Sequence, residues 1–225
     1  MTAWPDIRVL YEDDWLFAVD KPSGLAVHPG AGIHDGTLYD WIAHYLGPRA
    51  LRNGFRASPA HRLDRETSGL VLVATRRPCM VRLSELFERR EVHKTYVALV
   101  AGVLAADELL IDDPLADLKR GRPSIKQTAI TRVRVLERQA SSTLIECSPE
   151  TGRKHQIRRH LDLRGHPILG DRTYSDGGAE SYPVPRLFLH AQRLFLPHPR
   201  DGKRLELTSE LPSDLIEVLT GWRRT

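Results

Sequence analysis

Apolar positions along the chain fall mainly into short runs with the two-residue or continuous spacing of β-strands. The spans 7–11, 15–20, 70–74, 95–100, 130–136, 143–147 and 186–196 are rich in β-branched, aromatic or alternating apolar residues. In the last of these, Leu187, Leu189 and Ala191 share one parity and His190 and Gln192 take the other, which predicts a half-buried strand. Four stretches instead follow helical spacing. In 37–46, Leu38, Trp41, Ile42 and Tyr45 recur at i, i+3, i+4 and i+7, and in 77–90, Met80, Leu83 and Phe87 do so with Pro78 near the start. In 154–163, Ile157 and Leu161 point inward while Arg158, Arg159 and Asp162 are expected mostly outward; 213–220 makes the fourth. Strands and helices do not alternate, so the pattern predicts an α+β fold with a mixed, mostly antiparallel sheet rather than a doubly wound one. With no internal repeat and no long linker, 1–225 is expected to be a single domain.

Composition adds limits. Of the 225 residues, 41% are apolar and 28% charged, which suits a globular protein rather than a disordered or fibrous one. No apolar run approaches the roughly 18 residues of a membrane helix, and the start lacks the pattern of a signal peptide. Cys79 and Cys147 are far apart and neither lies in a C-x-x-C pair, so a cytoplasmic location is expected, without a disulfide framework or a zinc ribbon. The net charge of +4 is modest, but its distribution is not. Residues 1–48 hold two basic and seven acidic side chains, whereas 119–172 hold 13 basic and five acidic, which makes the second region a candidate for binding a polyanion.

Several chemistries find no support. The glycines at 30, 32 and 36 do not have the dinucleotide spacing, and there is no P-loop, H-E-x-x-H or G-x-S-x-G. His155 and His160 lie about 140° apart around a helix axis and so are poorly placed to share a metal ion. His190 and His198 have no matched carboxylate in the sequence pattern.

Two clusters remain. His61-Arg62-Leu63-Asp64-Arg65-Glu66-Thr67-Ser68-Gly69 crowds ionisable groups directly before the apolar run 70–74. It reads as a solvated turn around Asp64 or as a site at the mouth of a buried strand. Ser148-Pro149-Glu150-Thr151-Gly152-Arg153-Lys154-His155-Gln156-Ile157-Arg158-Arg159-His160 gathers four cations and two histidines at a helix start, which suits a phosphate-rich ligand.

Together with Asp20-Lys21-Pro22-Ser23-Gly24, His93-Lys94-Thr95-Tyr96-Val97-Ala98 and Gly165-His166-Pro167-Ile168-Leu169-Gly170-Asp171, these clusters resemble, in family order, the RluA-type RNA pseudouridine synthases. The resemblance runs from about residue 7 to 211, the catalytic core, without the S4 RNA-binding domain that many relatives carry. It implies a sheet with a central catalytic cleft and isomerisation of a uridine in structured RNA, with no metal or cofactor. Asp64 would be catalytic, either attacking C1′ or taking a 2′ proton. Tyr96 would stack on the uracil and receive the C5 proton, and Arg158 would pair with Asp64, favouring the ionised carboxylate. Arg62, with His61 beside it, would fill the gap left by the extruded base. Arg65, Lys94, Arg153 and Ile157 complete the candidate substrate-binding set.

By charge alone, Lys119, Arg120, Arg122 and Lys126 are further phosphate contacts. The expected partner is tRNA and/or 23S rRNA, with tRNA favoured, and neither DNA nor a membrane. The protein is expected to be a monomer, and target choice to rest on 112–128 and 173–186. The rival readings are a non-catalytic RNA-binding module of the same fold, or a nucleosidase, which would need a second placed acid such as Glu66.

Overall fold

The computed structural model describes residues 4–30, 32–116, 125–175 and 182–224. The first elements are β1 (Arg8–Glu12), β2 (Leu16–Lys21), α1 (Leu38–Leu46), β3 (Leu51–Arg52), β4 (Phe55–Arg56), β5 (Ser58–Pro59), β6 (Ser68–Ala74) and α2 (Arg77–Glu88). There follow β7 (His93–Ala101), β8 (Glu108–Ile111), β9 (Leu115–Ala116), β10 (Lys126–Gln127), β11 (Thr131–Arg138) and β12 (Ser142–Pro149). The chain ends with α3 (Gln156–Leu163), β13 (Leu189–Pro197), β14 (Arg204–Thr208) and α4 (Ser213–Trp222). The class is α+β, with a large, mostly antiparallel sheet. No described helix is long and apolar enough to cross a membrane.

The chain divides into two compact units. The first comprises Met1–Val92 and Ala191–Glu210 and the second His93–His190 and Leu211–Thr225. In the first, β2 pairs antiparallel with β1 on one side and with β6 on the other, β5 pairs with β6, and β14 with β13. All seven residues of β6 are buried, as are Leu16 to Val19 of β2. These are apolar runs covered on both faces, which is why they lack alternation. Cys79 and Leu83 of α2 join Leu16, Ala18, Leu70 and Leu72 in one apolar cluster, and this burial pushes the Cys79 thiol up to about 12, so it stays protonated and inert.

Local signals explain the element ends. Thr37 and Asp40 form a reciprocal capping box at the start of α1. The β1–β2 turn is closed by Asp13, whose Oδ1 accepts from the amides of Trp15 (2.7 Å) and Leu16 (2.9 Å). Gly69 stands at φ +114°, where an added Cβ would lie 2.7 Å from the amide nitrogen of Ala191, so only glycine fits this point of β6.

In the second unit the antiparallel order is β7-β12-β11-β8. Its core is formed by Val97 to Ala101, Leu144, Ile145, Leu161, Phe188 and the Leu215, Leu219 and Trp222 face of α4. The Trp222 indole N–H donates to Ser142 Oγ at 2.6 Å, which ties α4 to β12. Among the described residues no buried side-chain nitrogen or oxygen is left without a hydrogen-bond partner.

Three expectations from periodicity are corrected. Leu187, Phe188, Leu189, His190 and Ala191 are all buried, so the approach to β13 and its first residues are covered on both faces; alternation begins only at Gln192. The third helix starts at Gln156 rather than at 154, because His155 takes a left-handed conformation, φ 54°. Arg158, expected outward, is 4% exposed. A guanidinium can turn inward only when its donors are met there, and its partner, Asp171, is 13 residues further on.

Candidate active site

In the first unit, the loop carrying Asp64 is held to the turn that follows β2. Lys21 is fully buried, and its ammonium donates to the carbonyls of Pro22 (2.9 Å), Leu25 (2.9 Å) and Arg65 (3.2 Å). The Gly24 amide donates to the Arg65 carbonyl at 2.8 Å, Arg65 Nε returns a bond to the Gly24 carbonyl at 2.9 Å, and Ser23 Oγ donates to the Glu66 carbonyl at 2.7 Å. The backbone of the two residues after Asp64 is thereby fixed from outside the loop, while Leu63 on its other side is anchored in the core. The Thr67 amide closes the turn on the Asp64 carbonyl at 3.1 Å.

His61 is also fastened. Its Nε2 accepts from the Leu72 amide at 3.0 Å, which puts its neutral proton on Nδ1, and its ring lies 5.3 Å from that of Phe87 on α2. Arg62 and Arg65 are exposed and Asp64 is half-buried. Burial holds the imidazole of His28 below its ordinary pKa, and the charge of Arg62 adds to this.

In the second unit, Lys94 and Tyr96 share one face of β7 and are half-buried, Tyr96 opposite Cys147 of β12. Burial draws the Lys94 ammonium below its usual pKa. Arg158 rises from α3 into a buried ion pair: Nε and Nη2 meet Asp171 Oδ2 and Oδ1, both at 2.7 Å, in a bidentate fork. The Asp171 carboxylate also accepts from the amides of Thr173 (2.9 Å) and Tyr174 (3.2 Å), and the Tyr174 ring lies 5.1 Å from the guanidinium carbon. Burial alone would raise the pKa of Asp171; the bonds from Arg158 and the two amides outweigh it and hold the carboxyl below its ordinary value.

The start of α3 is organised by Gln156. Its Oε1 accepts from Thr151 Oγ1 (2.7 Å) and the Arg153 amide (3.0 Å), and its Nε2 donates to the Ile130 carbonyl (2.9 Å) and Thr131 Oγ1 (3.1 Å). Arg153, a candidate substrate contact, donates Nε to the Thr128 carbonyl and is exposed, whereas Ile157, another candidate, is packed in the core. His155 and His160 part company: His155 meets the Tyr174 hydroxyl, and His160 meets Thr131 Oγ1 and the Asp113 carbonyl.

Contrary to the sequence pattern, His198 does meet a carboxylate: Asp13, 185 residues earlier, at 2.8 Å. Lys119, Arg120 and Arg122 lie outside the described residues. Sequence reasoning missed two clamps. Lys21 and Asp171 both stand within the motifs, but their roles depend on partners that the fold chooses. The available signal was the type of residue: a lysine in an apolar strand and an aspartate after a buried hydrophobic run both demand partners.

An α+β fold with Asp64 on a clamped, arginine-flanked loop, and an internally paired arginine on a basic helix, belongs to the class of pseudouridine synthase folds. A family model described as RNA pseudouridylate synthase matches residues 15–163, well over half of the chain. The chain belongs to this family of isomerases. It is 39% identical over 226 residues to the ribosomal large subunit pseudouridine synthase C of Vibrio cholerae, covering 96% of this chain and 69% of that one. It is 41% identical over 228 residues to the synthase D of Nitrosomonas europaea, covering 96% and 65%. The chain thus spans about two thirds of the length of these relatives. Among solved structures it resembles human RNA pseudouridylate synthase domain containing 4, with a TM-score of 0.79 and 28% identity, covering 96% of this chain and 92% of that one.

Proposed function

We propose that this protein converts a uridine of large-subunit ribosomal RNA into pseudouridine, with Asp64 as the catalytic residue. The observation that carries the reading is that Asp64 stands in the family motif on a loop whose backbone is clamped by Lys21, Ser23 and Gly24. The sequence alone favours tRNA; the names of the relatives support ribosomal RNA instead.

In the reaction the C1′–N1 bond breaks, the uracil turns, C5 bonds to C1′, and the proton lost from C5 is balanced by one gained at N1. Attack of the carboxylate on C1′ and removal of a 2′ proton are two routes that use the same ionised Asp64. A single ionised Asp64 serves either route of isomerisation, whereas hydrolysis of a glycosidic bond usually needs a second carboxylate placed to activate water. Tyr96 stacks on the uracil and takes the C5 proton, and Arg158 supports the charge of Asp64. The uridine must leave its stack to be reached, at about a few kcal/mol, and exposed Arg62 fills its place. Arg65 and Lys94 contact the extruded nucleotide, and Lys126 and Arg153, together with Lys119, Arg120 and Arg122, contact phosphates.

The test is tritium release from RNA labelled at uridine C5, with unmodified large-subunit rRNA and tRNA pools assayed separately and Asp64→Asn as control. Release from rRNA that Asp64→Asn abolishes, with RNA binding kept within a few fold, is the expected result. Release that survives Asp64→Asn removes Asp64 from catalysis, and free uracil identifies a nucleosidase. Release from tRNA alone reassigns the substrate, and no release from either pool leaves a binding module.

A further inference from the structure

Arg158 carries a fixed cation in the proposed reaction, and a cation helps only if it is held in one place. An arginine side chain has four rotatable bonds before the guanidinium, so position must come from its neighbours. Three groups of the second unit supply it. Asp171 takes Nε and Nη2 in a fork, which fixes the plane of the guanidinium and its rotation about Cδ–Nε. The Nη1 end lies outside this fork. The Tyr174 ring, 5.1 Å from the guanidinium carbon, covers one face. The ring is itself pinned: its hydroxyl meets His155 Nδ1 at 2.9 Å, with the two rings edge to face at 82°.

The backbone has been bent to make these contacts. His155 sits at φ 54°, a conformation that a non-glycine side chain rarely adopts, and it does so at the residue that begins α3. On the other side, Gly170 at φ 77° turns the chain beside the Arg186 carbonyl, where an added Cβ would lie 2.7 Å from a methyl of Val184, and this turn delivers Asp171. The Thr173 and Tyr174 amides then orient the carboxylate, so Asp171 cannot swing away from Arg158 without losing both.

We propose that Asp171 and Tyr174 are positioning residues of the synthase: acting through Arg158, they hold its guanidinium in one orientation for the reaction and set the rate of the chemical step rather than the affinity for RNA. The proposal rests on the reading of Arg158 as part of the catalytic machinery.

The experiment measures single-turnover pseudouridine formation and, separately, RNA binding, on a large-subunit rRNA transcript labelled with tritium at uridine C5. The variants are Asp171→Asn, Tyr174→Leu, Arg158→Gln and the double variant Arg158→Gln/Asp171→Asn. Displacing a group by about 1 Å costs on the order of a hundredfold in rate, which is the loss expected for Asp171→Asn, with the Kd for RNA moved by less than about threefold. Tyr174→Leu, which keeps the buried ion pair, is expected to lose roughly tenfold, within the range of a desolvated cation–π contact. The double variant should be no slower than Arg158→Gln alone, because Asp171 has nothing left to position.

A merely structural role would lower the fraction of folded protein and leave the single-turnover rate of the rest unchanged. Wild-type rates in Asp171→Asn and Tyr174→Leu beside a slow Arg158→Gln would overturn the positioning role and leave Arg158 catalytic. Additive losses in the double variant would overturn it too. A wild-type rate in Arg158→Gln would instead remove the reading on which the proposal stands. If Asp171→Asn does not fold, Tyr174→Leu decides.

Discussion

Replacing Lys21 by Met tests the clamp on the Asp64 loop with little change of length. The ammonium has three carbonyl acceptors, and they do not lose equally. The Arg65 carbonyl keeps the Gly24 amide at 2.8 Å. The Pro22 bond is only part-buried, so water can replace the donor, whereas the Leu25 bond is buried. A buried carbonyl left without a donor costs about 1–3 kcal/mol, and a bond to a charged group contributes about 1.5–3 kcal/mol. Against these, the ammonium no longer has to be kept out of water, which returns part of the loss. The balance is a destabilisation of about 2–3 kcal/mol, smaller than the loss of three independent charged bonds.

With a urea slope of about 1–3 kcal/mol per molar, this shifts the unfolding midpoint by roughly 1 M. The same variant frees one of the two bonds on the Arg65 carbonyl, next to Asp64, so the single-turnover rate should fall at temperatures where the protein remains folded. Urea unfolding followed by circular dichroism, with tritium release on the same sample, measures both. A midpoint within about 0.3 M of wild type together with an unchanged rate would refute the clamp.

Gly69→Ala combines a left-handed conformation with a Cβ driven into the Ala191 backbone, and strain plus overpacking of about 1–3 kcal/mol each predicts a loss of at least 2 kcal/mol; a melting temperature unchanged from wild type would refute it. Stability should also fall on acidification in two stages. Burial, the largest influence on the His160 imidazole, holds it below its ordinary 6.5, so its neutral form contributes stability that is lost as pH drops through that value. Asp171, held below 3.8, contributes stability that is present above that pH and lost below it. Denaturation midpoints between pH 8 and 3 measure this, and a flat profile from 7 to 5 in which His160→Gln matches wild type would contradict the first stage.

The longer strands were readable because each rests on adjacent residues. An unbroken apolar run such as 70–74 needs cover on both faces. What periodicity misjudged was polar residues in buried places. Arg158 follows Ile157 on an amphipathic helix, so a helical wheel puts it at the edge of the wet face; the structure turns it inward because Asp171 waits there. In Leu187 to Ala191 the one polar residue, His190, is fully buried with the rest, so the run is covered on both faces. β8 and β14 are short strands, the first with Glu108 at its start and the second alternating Arg204 and Glu206 with leucines, and their pairing with β11 and β13 is what makes them strands. The same limit hid His198 and Asp13, a contact between the two ends of the chain.

The two clamps each bury a cation, and the bonds that each one makes predict how it fails. Both Lys21 and Arg158 are cations removed from water, at a cost that protein contacts must offset. Lys21 donates to the carbonyls of Pro22, Leu25 and Arg65, and Lys21→Met removes the buried charge along with these bonds. Arg158 is met by a carboxylate, and neutralising Asp171 leaves a guanidinium buried without its counter-charge. Breaking such a pair from one side costs about 3–5 kcal/mol, more than the roughly 2–3 kcal/mol worked out for Lys21→Met. Because both sites are buried, salt screens neither strongly, in contrast to the phosphate contacts, whose contribution to RNA affinity falls steeply with ionic strength. Raising the salt should therefore weaken RNA binding while leaving the single-turnover rate of bound RNA nearly constant. That separation is what an Asp64 loop held by internal clamps, rather than by the RNA itself, requires.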